Sequence, residues 1–423
     1  MHILLLTQIV PYPPDSGPKI KTYHVLRYLS ERGHAVTLAS FVREHEQPYL
    51  EYLQTYCKNI YPIPLRRSRI ADARAYAYGL GSGLPFLVTR DAQIEMEKLI
   101  DRLAREPFDI VHADQLTMTQ FALRFRRASA ANQSVALVFD AHNAVYEIVE
   151  RAKQTSPIFL QPVLALEAGR LRRYEGRLIE QFDRTLAVSE VDQNALLDAS
   201  AVSSETQNHH GEDGTKREEL KSKISVIPIA VDCAYLQSVK HTVDSQNILT
   251  VSTLFYPPNA DGVRWFMHQV FPLVRRQMTA ATLTVVGPRP PKDIVEYGRR
   301  NADGVQVTGY VPDLQPYFER ATLMAVPVRA GSGMRVRILE ALARGIPIVT
   351  TTTGVEGIDA VDGKHLLVAD TPSEFAAAIV RLLKDSTLRA SLIQNGRRLA
   401  EEKYDWQVVL PRLESVYQSL DRK

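Results

Sequence analysis

The chain has 423 residues, 45% of them hydrophobic and 23% charged, and its 51 lysines and arginines against 48 aspartates and glutamates leave a net charge of +3. That length exceeds one ordinary core and implies two domains, while the composition excludes a disordered chain. So balanced a charge gives no argument for nucleic acid, and two cysteines, Cys57 and Cys233, outside any metal-ligand or redox spacing suit a reducing cytosol.

Taken in chain order, Met1 to Thr7 reads as a buried strand rather than a signal peptide, because it has neither a basic leader nor a small-residue cleavage site. No run of eighteen apolar residues predicts a membrane-spanning helix. A turn-rich loop, PYPPDSGPK, precedes a helix from Ile20 to Arg32 that Gly33 closes. HAVTLASF, FDIVHA and SVALVFDAHN follow as strands, the last two with a helix between them, and a long helix runs from about Pro162 to Gln181. RTLAVSE returns as a strand, with Ser189 placed to cap the next helix. The polar stretch at about 203–223 reads as a mobile surface insert; its His209 and His210 have no flanking core to hold a metal geometry.

ISVIPIAVD ends this half, and CAYLQSVKHTVDSQ reads as a hinge. NILTVST, ATLTVVG, VQVTGYV, TLMAVPV, IPIVTT and HLLVA then alternate with helical segments, repeating the same grammar. A final apolar stripe through Val408, Val409, Leu413, Val416, Tyr417 and Leu420 predicts one more helix, kinked near its start by Pro411. The fold class is therefore α/β, with two doubly wound sheets and ligands at the carboxyl ends of their strands.

One turn carries chemistry. RAGSG joins the strand TLMAVPV to the helix RILEALARG, so backbone N–H groups around Gly331 and Gly333 meet a helix N-terminus, an arrangement suited to a diphosphate. Arg329, Arg335 and Arg337 lie in or beside it. Glu340, seven residues beyond Gly333, is expected two turns into the helix, about 10 Å further along. Spacing alone leaves it two roles: ribose ligand, or ion-pair partner of Arg337 and Arg344 at i−3 and i+4.

The segment GSGMRVRILEALARGIPIVTT, followed by GVEG, resembles the donor-binding signature of the large retaining glycosyltransferase family of GT-B architecture, often called family 4. FDAHNAVYE, LAVSEVDQNAL, ISVIPIAVD, LTVVGPRPP and VQVTGYVPDLQPYFERA resemble further segments of that family in its order, over nearly the whole chain except the polar insert. The resemblance implies two Rossmann-like domains facing a central cleft: an acceptor-binding domain over 1–238, a nucleotide-sugar domain over 245–403, and a C-terminal helix over 404–423 crossing back to the first. It implies a catalytic neighbourhood of His142, Ser332 and Arg335. Donor contacts would come from Gly17, Gly287, Arg289, Tyr310, Val311, Arg329, Gly331, Ser332, Gly333, Met334, Arg335, Arg337, Leu339 and Glu340, and acceptor-side contacts from Lys19, Asp114, Asn143 and Arg173.

The implied reaction moves a sugar, with retained configuration, from a UDP- or GDP-sugar to a glycan, lipid-linked or small-molecule acceptor, without an obligatory metal or other cofactor. The departing diphosphate would be stabilised by the glycine turn and its arginines. Three departures from the family pattern stand out: Ser332 occupies the place of the first motif glutamate, STLFYPPNADG lacks the usual arginine and lysine, and Ile229 and Ala230 replace Asn-Gly in the hinge. They resemble a subgroup associated with bacterial exopolysaccharide and cell-surface synthesis. A sugar-nucleotide epimerase and a non-catalytic nucleotide-binding partner remain alternatives; a dehydrogenase lacks its G-x-G-x-x-G. Arginine clusters at 66–74, 124–127 and 170–177 suggest solvated faces or a peripheral contact of a cytoplasmic enzyme with the inner membrane face.

Overall fold

A computed structural model of the chain describes residues 1–129, 135–205, 213–236, 238–239, 245–302, 304–331 and 333–420. The chain divides into two compact units, Met1–Ile229 with the C-terminal stretch from Val409, and Ala230–Val408. The boundary falls at Ala230 because Val231 and Cys233 already belong to the second unit: Val231 N–H donates to Tyr404 O at 2.9 Å, Trp406 N–H donates to Val231 O at 2.9 Å, and Cys233 N–H donates to Asp405 Oδ2 at 2.9 Å.

The first unit holds a seven-stranded parallel sheet of β1 (His2–Thr7), β2 (Ala35–Val42), β3 (Asn59–Pro64), β4 (Ile110–Asp114), β5 (Ala136–Ala141), β6 (Arg184–Ala187) and β7 (Ile224–Val226), ordered β3-β2-β1-β4-β5-β6-β7. The run Ile3 to Leu6 is wholly buried, as expected of a central strand covered by helices on both faces. The sequence reading did not recognise β3. Pro62 and Pro64 break its donor pattern, which is tolerated because β3 is the sheet's edge and pairs only with β2. The expected insert at 203–223 is corrected in part. Glu190–Glu205 and Asp213–Ser222 are helices, and Leu220 is buried, so the described part at 213–222 is an anchored helix rather than a loop. His209 and His210 lie outside the described residues.

The second unit's sheet contains β8 (Asn247–Val251), β9 (Thr282–Val286), β10 (Val305–Gly309), β11 (Leu323–Val326), β12 (Ile348–Thr350) and β13 (Leu367–Val368), all parallel, ordered β10-β9-β8-β11-β12-β13. In each sheet the winding reverses once, between β1 and β4 and between β8 and β11, and the carboxyl ends beside such a reversal leave a crevice between diverging loops. The C-terminal helix Trp406–Leu420 carries Pro411 inside it, and its Leu413 and Tyr417 are fully buried.

Candidate functional site

In the second unit, four strand ends deliver the residues. After β11 the chain turns through Gly331 at φ +114° and Gly333 at φ +85°, both in the left-handed region that L side chains rarely adopt. A Cβ on Gly331 would also come within 3.0 Å of Arg335 Nη2, so the guanidinium lies directly against this turn. Ser332 lies outside the described residues. The helix Val336–Ala343 begins one residue ahead of the expected RILEALARG, with Met334 and Arg335 outside it and Arg335 forming the N-cap. Glu340, counted from Val336, is therefore one turn inside the helix rather than two.

Glu340 is largely buried, and Arg337 Nη1 donates to its Oε2 at 2.5 Å. Of the two partners that spacing offered, Arg337 is the one engaged; Arg344 instead donates to Gln315 Oε1 at 2.6 Å and covers the Phe318 ring. Leu339 and Met334 are buried packing residues. Arg329 Nη1 donates to Asp261 Oδ2 at 3.1 Å. At the end of β9, Gly287 admits no side chain, since a Cβ would lie 1.8 Å from Ser252 O, and the loops after β8 and β9 meet there. Arg289 follows at φ +49° with its guanidinium 3.8 Å from the Phe255 ring centroid. Tyr310, after β10, is exposed, and Val311 half-buried. All these expected donor residues sit at the carboxyl edge of one sheet. A small crevice at the reversal itself is lined by Ser252, Asn259, Pro327 and Val328. A larger depression, lined by Arg276, Tyr297 and Asn301, lies at the amino end of β10, away from this edge.

In the first unit, the ends of β4 and β5 carry a buried polar cluster. His142, just past β5, bonds through Nε2 to Asp114 Oδ1 at 2.8 Å, and Thr22 Oγ donates to Asp114 Oδ2 at 3.0 Å. Asp114, expected on the acceptor side, accepts from Thr22 and bonds His142, so it fixes the imidazole's orientation. Lys19, expected beside it, lies 3.3 Å from the buried Glu46 carboxylate. The cation at the strand ends is Lys21, whose ammonium contacts Asp140 Oδ1 with both side chains buried. Burial alone would raise the Asp140 pKa, but Lys21's charge, the His112 hydrogen bond and the neighbouring imidazoles overcome it, so the carboxyl is held well below its ordinary value.

His112 Nε2 lies 3.4 Å from Asp140 Oδ2, and its Nδ1 meets the hydroxyl of Tyr417, from the C-terminal helix, at 2.5 Å. The Tyr417 hydroxyl is pushed well above its usual pKa by burial and by the Asp140 and Asp114 charges. Ligand atoms of His112, Asp114 and Asp140 lie within 4.8 Å of one another, a spacing that can hold a metal ion, but Lys21 already supplies the counter-charge on Asp140.

Asn143 follows His142, half-buried, in the loop leading to the helix Val145–Thr155. That helix starts where it does because Glu175, fully buried on the helix Gln161–Gln181, accepts the N–H groups of Val145 and Tyr146 at 2.8 and 2.9 Å. Burial pushes the Glu175 carboxyl up to about 8, against those two bonds. Ser189 caps the next helix as expected, accepting from Asp192 N–H at 3.1 Å, and Asp192 Oδ1 accepts from Ala144 N–H at 3.3 Å. Arg173 is exposed on the same helix as Glu175. Lys21, Thr22, His112, Asp140, Glu175, Asp192 and Tyr417 escaped the sequence reading of the site. The signal that could have found two of them is a charged or titratable residue inside a buried, mostly apolar strand, His112 in IVHAD and Asp140 in ALVFDA.

Comparison with known proteins gives this geometry a family. Residues 245–385 match the family model described as "Glycosyl transferases group 1", and residues 17–207 match "Glycosyltransferase Family 4". An "Uncharacterized 44.6 kDa protein in cps region" of Klebsiella pneumoniae is 22% identical over 95% of this chain and 96% of its own. The "MMP alpha-(1->4)-mannosyltransferase" of Mycolicibacterium hassiacum is 25% identical over 95% of this chain and 94% of its own. The structure of HepE from Anabaena, solved with UDP, superposes with a TM-score of 0.69 at 15% identity over 99% of this chain and 100% of that one.

Proposed function

The chain belongs to the glycosyltransferases of group 1 and family 4, enzymes of GT-B fold, and from that premise we propose that it transfers a sugar from a UDP- or GDP-sugar to a glycan or lipid-linked acceptor with retention of configuration. The observation that carries this reading is the turn and helix from Gly331 to Glu340 at the carboxyl end of β11. Its backbone N–H groups and Arg335 suit a diphosphate, and Glu340 suits a ribose hydroxyl, with the Arg337 bond fixing the carboxylate's orientation. Arg335 and Arg337 stand in for the arginine and lysine missing after β8.

In the proposed reaction the bond from the anomeric carbon to the phosphate oxygen breaks, the acceptor oxygen bonds the same face of that carbon, and the acceptor's proton passes to the departing phosphate. The protein's contribution is electrostatic, stabilising the diphosphate as its charge grows. The family resemblance assigns His142, which Asp114 orients, to the donor sugar, and Asn143 and Arg173 to the acceptor. A divalent ion is not required, because the arginines supply the positive charge. The bound UDP of HepE and the mannosyltransferase name of the M. hassiacum relative support the donor class. The cps-region relative supports a polysaccharide or glycoconjugate product.

The test is incubation with UDP- and GDP-sugars and candidate acceptors. Release of free nucleoside diphosphate with a glycosylated product whose anomeric coupling matches the donor supports the reading. An isomerised sugar nucleotide without nucleotide release would identify an epimerase, and tight nucleotide binding without turnover across acceptors a non-catalytic partner.

A further inference from the structure

The helix Arg69–Ser82 is inverted with respect to solvent. Its half-buried and buried residues, Asp72, Ala75, Tyr76 and Gly79, lie on one side, with Tyr76 against Phe86 and Gly79 against Leu84 O and Thr89. The opposite side carries Ile70, Ala73, Arg74, Ala77 and Tyr78, all exposed, Ile70 and Tyr78 at 68% and 65%. A solvated helix presents charge outward; this one presents an apolar stripe with a single arginine.

A second apolar feature stands on a neighbouring element. Ile158 and Phe159 form a single turn ahead of the helix Gln161–Gln181 and are 84% and 76% exposed, followed on that helix by exposed Val163 and Leu166. Phe86 links the two features: its ring packs on Tyr76, and its N–H donates to Glu167 Oε1 at 2.5 Å, beside Leu166. Together they make an exposed apolar surface of the kind that marks an interaction site.

Charge decides what covers it. From Pro64 to Leu84 the chain carries Arg66, Arg67, Arg69 and Arg74 against Asp72 alone. Arg67 is taken up by buried Asp91 and Arg66 lies 3.7 Å from the Glu95 carboxylate, which leaves Arg69 and Arg74 as the exposed arginines beside the apolar stripe. Of the arginines at 124–127, two are committed within the unit, while Arg127 is exposed and bonds the Leu123 carbonyl. Arg124 pairs with Asp101 and Glu97, and Arg126 with Asp183.

We infer that this face of the first unit docks on an anionic lipid bilayer, the Ile158–Phe159 turn and the outward stripe of Arg69–Ser82 entering the headgroup boundary while the arginines meet lipid phosphates. Among the described residues no helix is long and apolar enough to cross a membrane, so the attachment is peripheral. The inference does not rest on the donor reading: vesicle binding is measured with no nucleotide or acceptor present.

The experiment is cosedimentation of the full chain with vesicles of phosphatidylglycerol and phosphatidylcholine, and with phosphatidylcholine alone. The wild type is expected to bind the anionic vesicles, and Ile158→Glu/Phe159→Glu and Ile70→Glu/Tyr78→Glu each to lose about tenfold or more in partitioning. Both pairs are solvent-exposed, and unchanged circular dichroism establishes that each variant folds. Arg69→Gln/Arg74→Gln is expected to weaken binding to anionic vesicles. No binding by the wild type, equal binding to neutral vesicles, or full binding by both glutamate pairs would overturn the inference. So would a dimer in light scattering that the same pairs convert to monomer, since the face would then belong to a second copy.

Discussion

Replacing Lys21 with methionine removes one charge from a buried ion pair and leaves its shape. The Lys21 and Asp140 side chains are 3% and 1% exposed, so the carboxylate left behind has neither solvent nor ammonium. Breaking such a pair from one side costs about 3–5 kcal/mol. The folded variant lowers that cost by protonating Asp140 itself, which leaves a neutral carboxyl in the buried site. In the wild type Asp140 is ionised both folded and unfolded above pH 5, because Lys21 holds its folded pKa down, and it contributes no slope there.

In the variant the folded state binds the extra proton and the unfolded state does not, so stability falls as pH rises, by up to about 1.4 kcal/mol per pH unit. The gap between wild type and variant should widen by about 2.7 kcal/mol from pH 5 to pH 7. Hydrogen exchange of the β1, β4 and β5 amides reads this unit separately from the second. Adding Asp140→Leu should return part of the loss, since the pair is then removed as a whole. A Lys21→Met variant within about 1 kcal/mol of wild type, with a gap independent of pH, would refute the reasoning.

Glu175 gives the opposite kind of test, a native carboxyl held protonated. Its folded pKa, pushed up to about 8, lies above the unfolded value, so the folded state binds more protons between about pH 4.5 and 8 and stability should decline across that window as pH rises. Glu175→Gln should flatten the decline, and an unaltered pH profile would contradict the assignment. Gly287→Ala should destabilise the second unit by about 3 kcal/mol or more, because the new methyl meets the Ser252 carbonyl and not a movable side chain, a loss measurable in urea unfolding. Asp114→Asn keeps the shape beside His142 and removes the negative charge that orients it. Transfer should fall on the order of 100-fold in kcat with little change in donor affinity; an unchanged kcat would leave the pair structural.

The strands were legible where burial alone decides sequence: the runs at β1, β5 and β11 admit little but apolar residues because helices cover both faces. β3 was not, since edge position excuses two prolines that elsewhere would end a strand. The glycine turn was legible from Gly331 and Gly333, whose positive φ angles are a local requirement. The depth of Glu340 was misjudged because it was counted from Gly333, whereas the helix begins only at Val336. The polar cluster of the first unit was hidden for a different reason. Lys21 meets Asp140 and His112 meets Tyr417 across 119 and 305 residues of chain, and such pairings exist only once the sheet and the C-terminal helix are assembled. Two residues apart on one helix, Lys19 faces Glu46 while Lys21 turns inward to Asp140, a difference of helix phase.

The central claim, that a nucleoside diphosphate is held between the Gly331–Gly333 turn and Glu340, is tested most directly by calorimetric titration of UDP, GDP and ADP into wild type, Glu340→Gln and Gly331→Ala. The account predicts that one diphosphate binds the wild type and that each substitution weakens it about tenfold or more, Glu340→Gln by removing the ribose acceptor and Gly331→Ala by driving a methyl toward Arg335 at a φ of +114°. Equal affinity in all three proteins, or no binding of any diphosphate to the wild type, would contradict it.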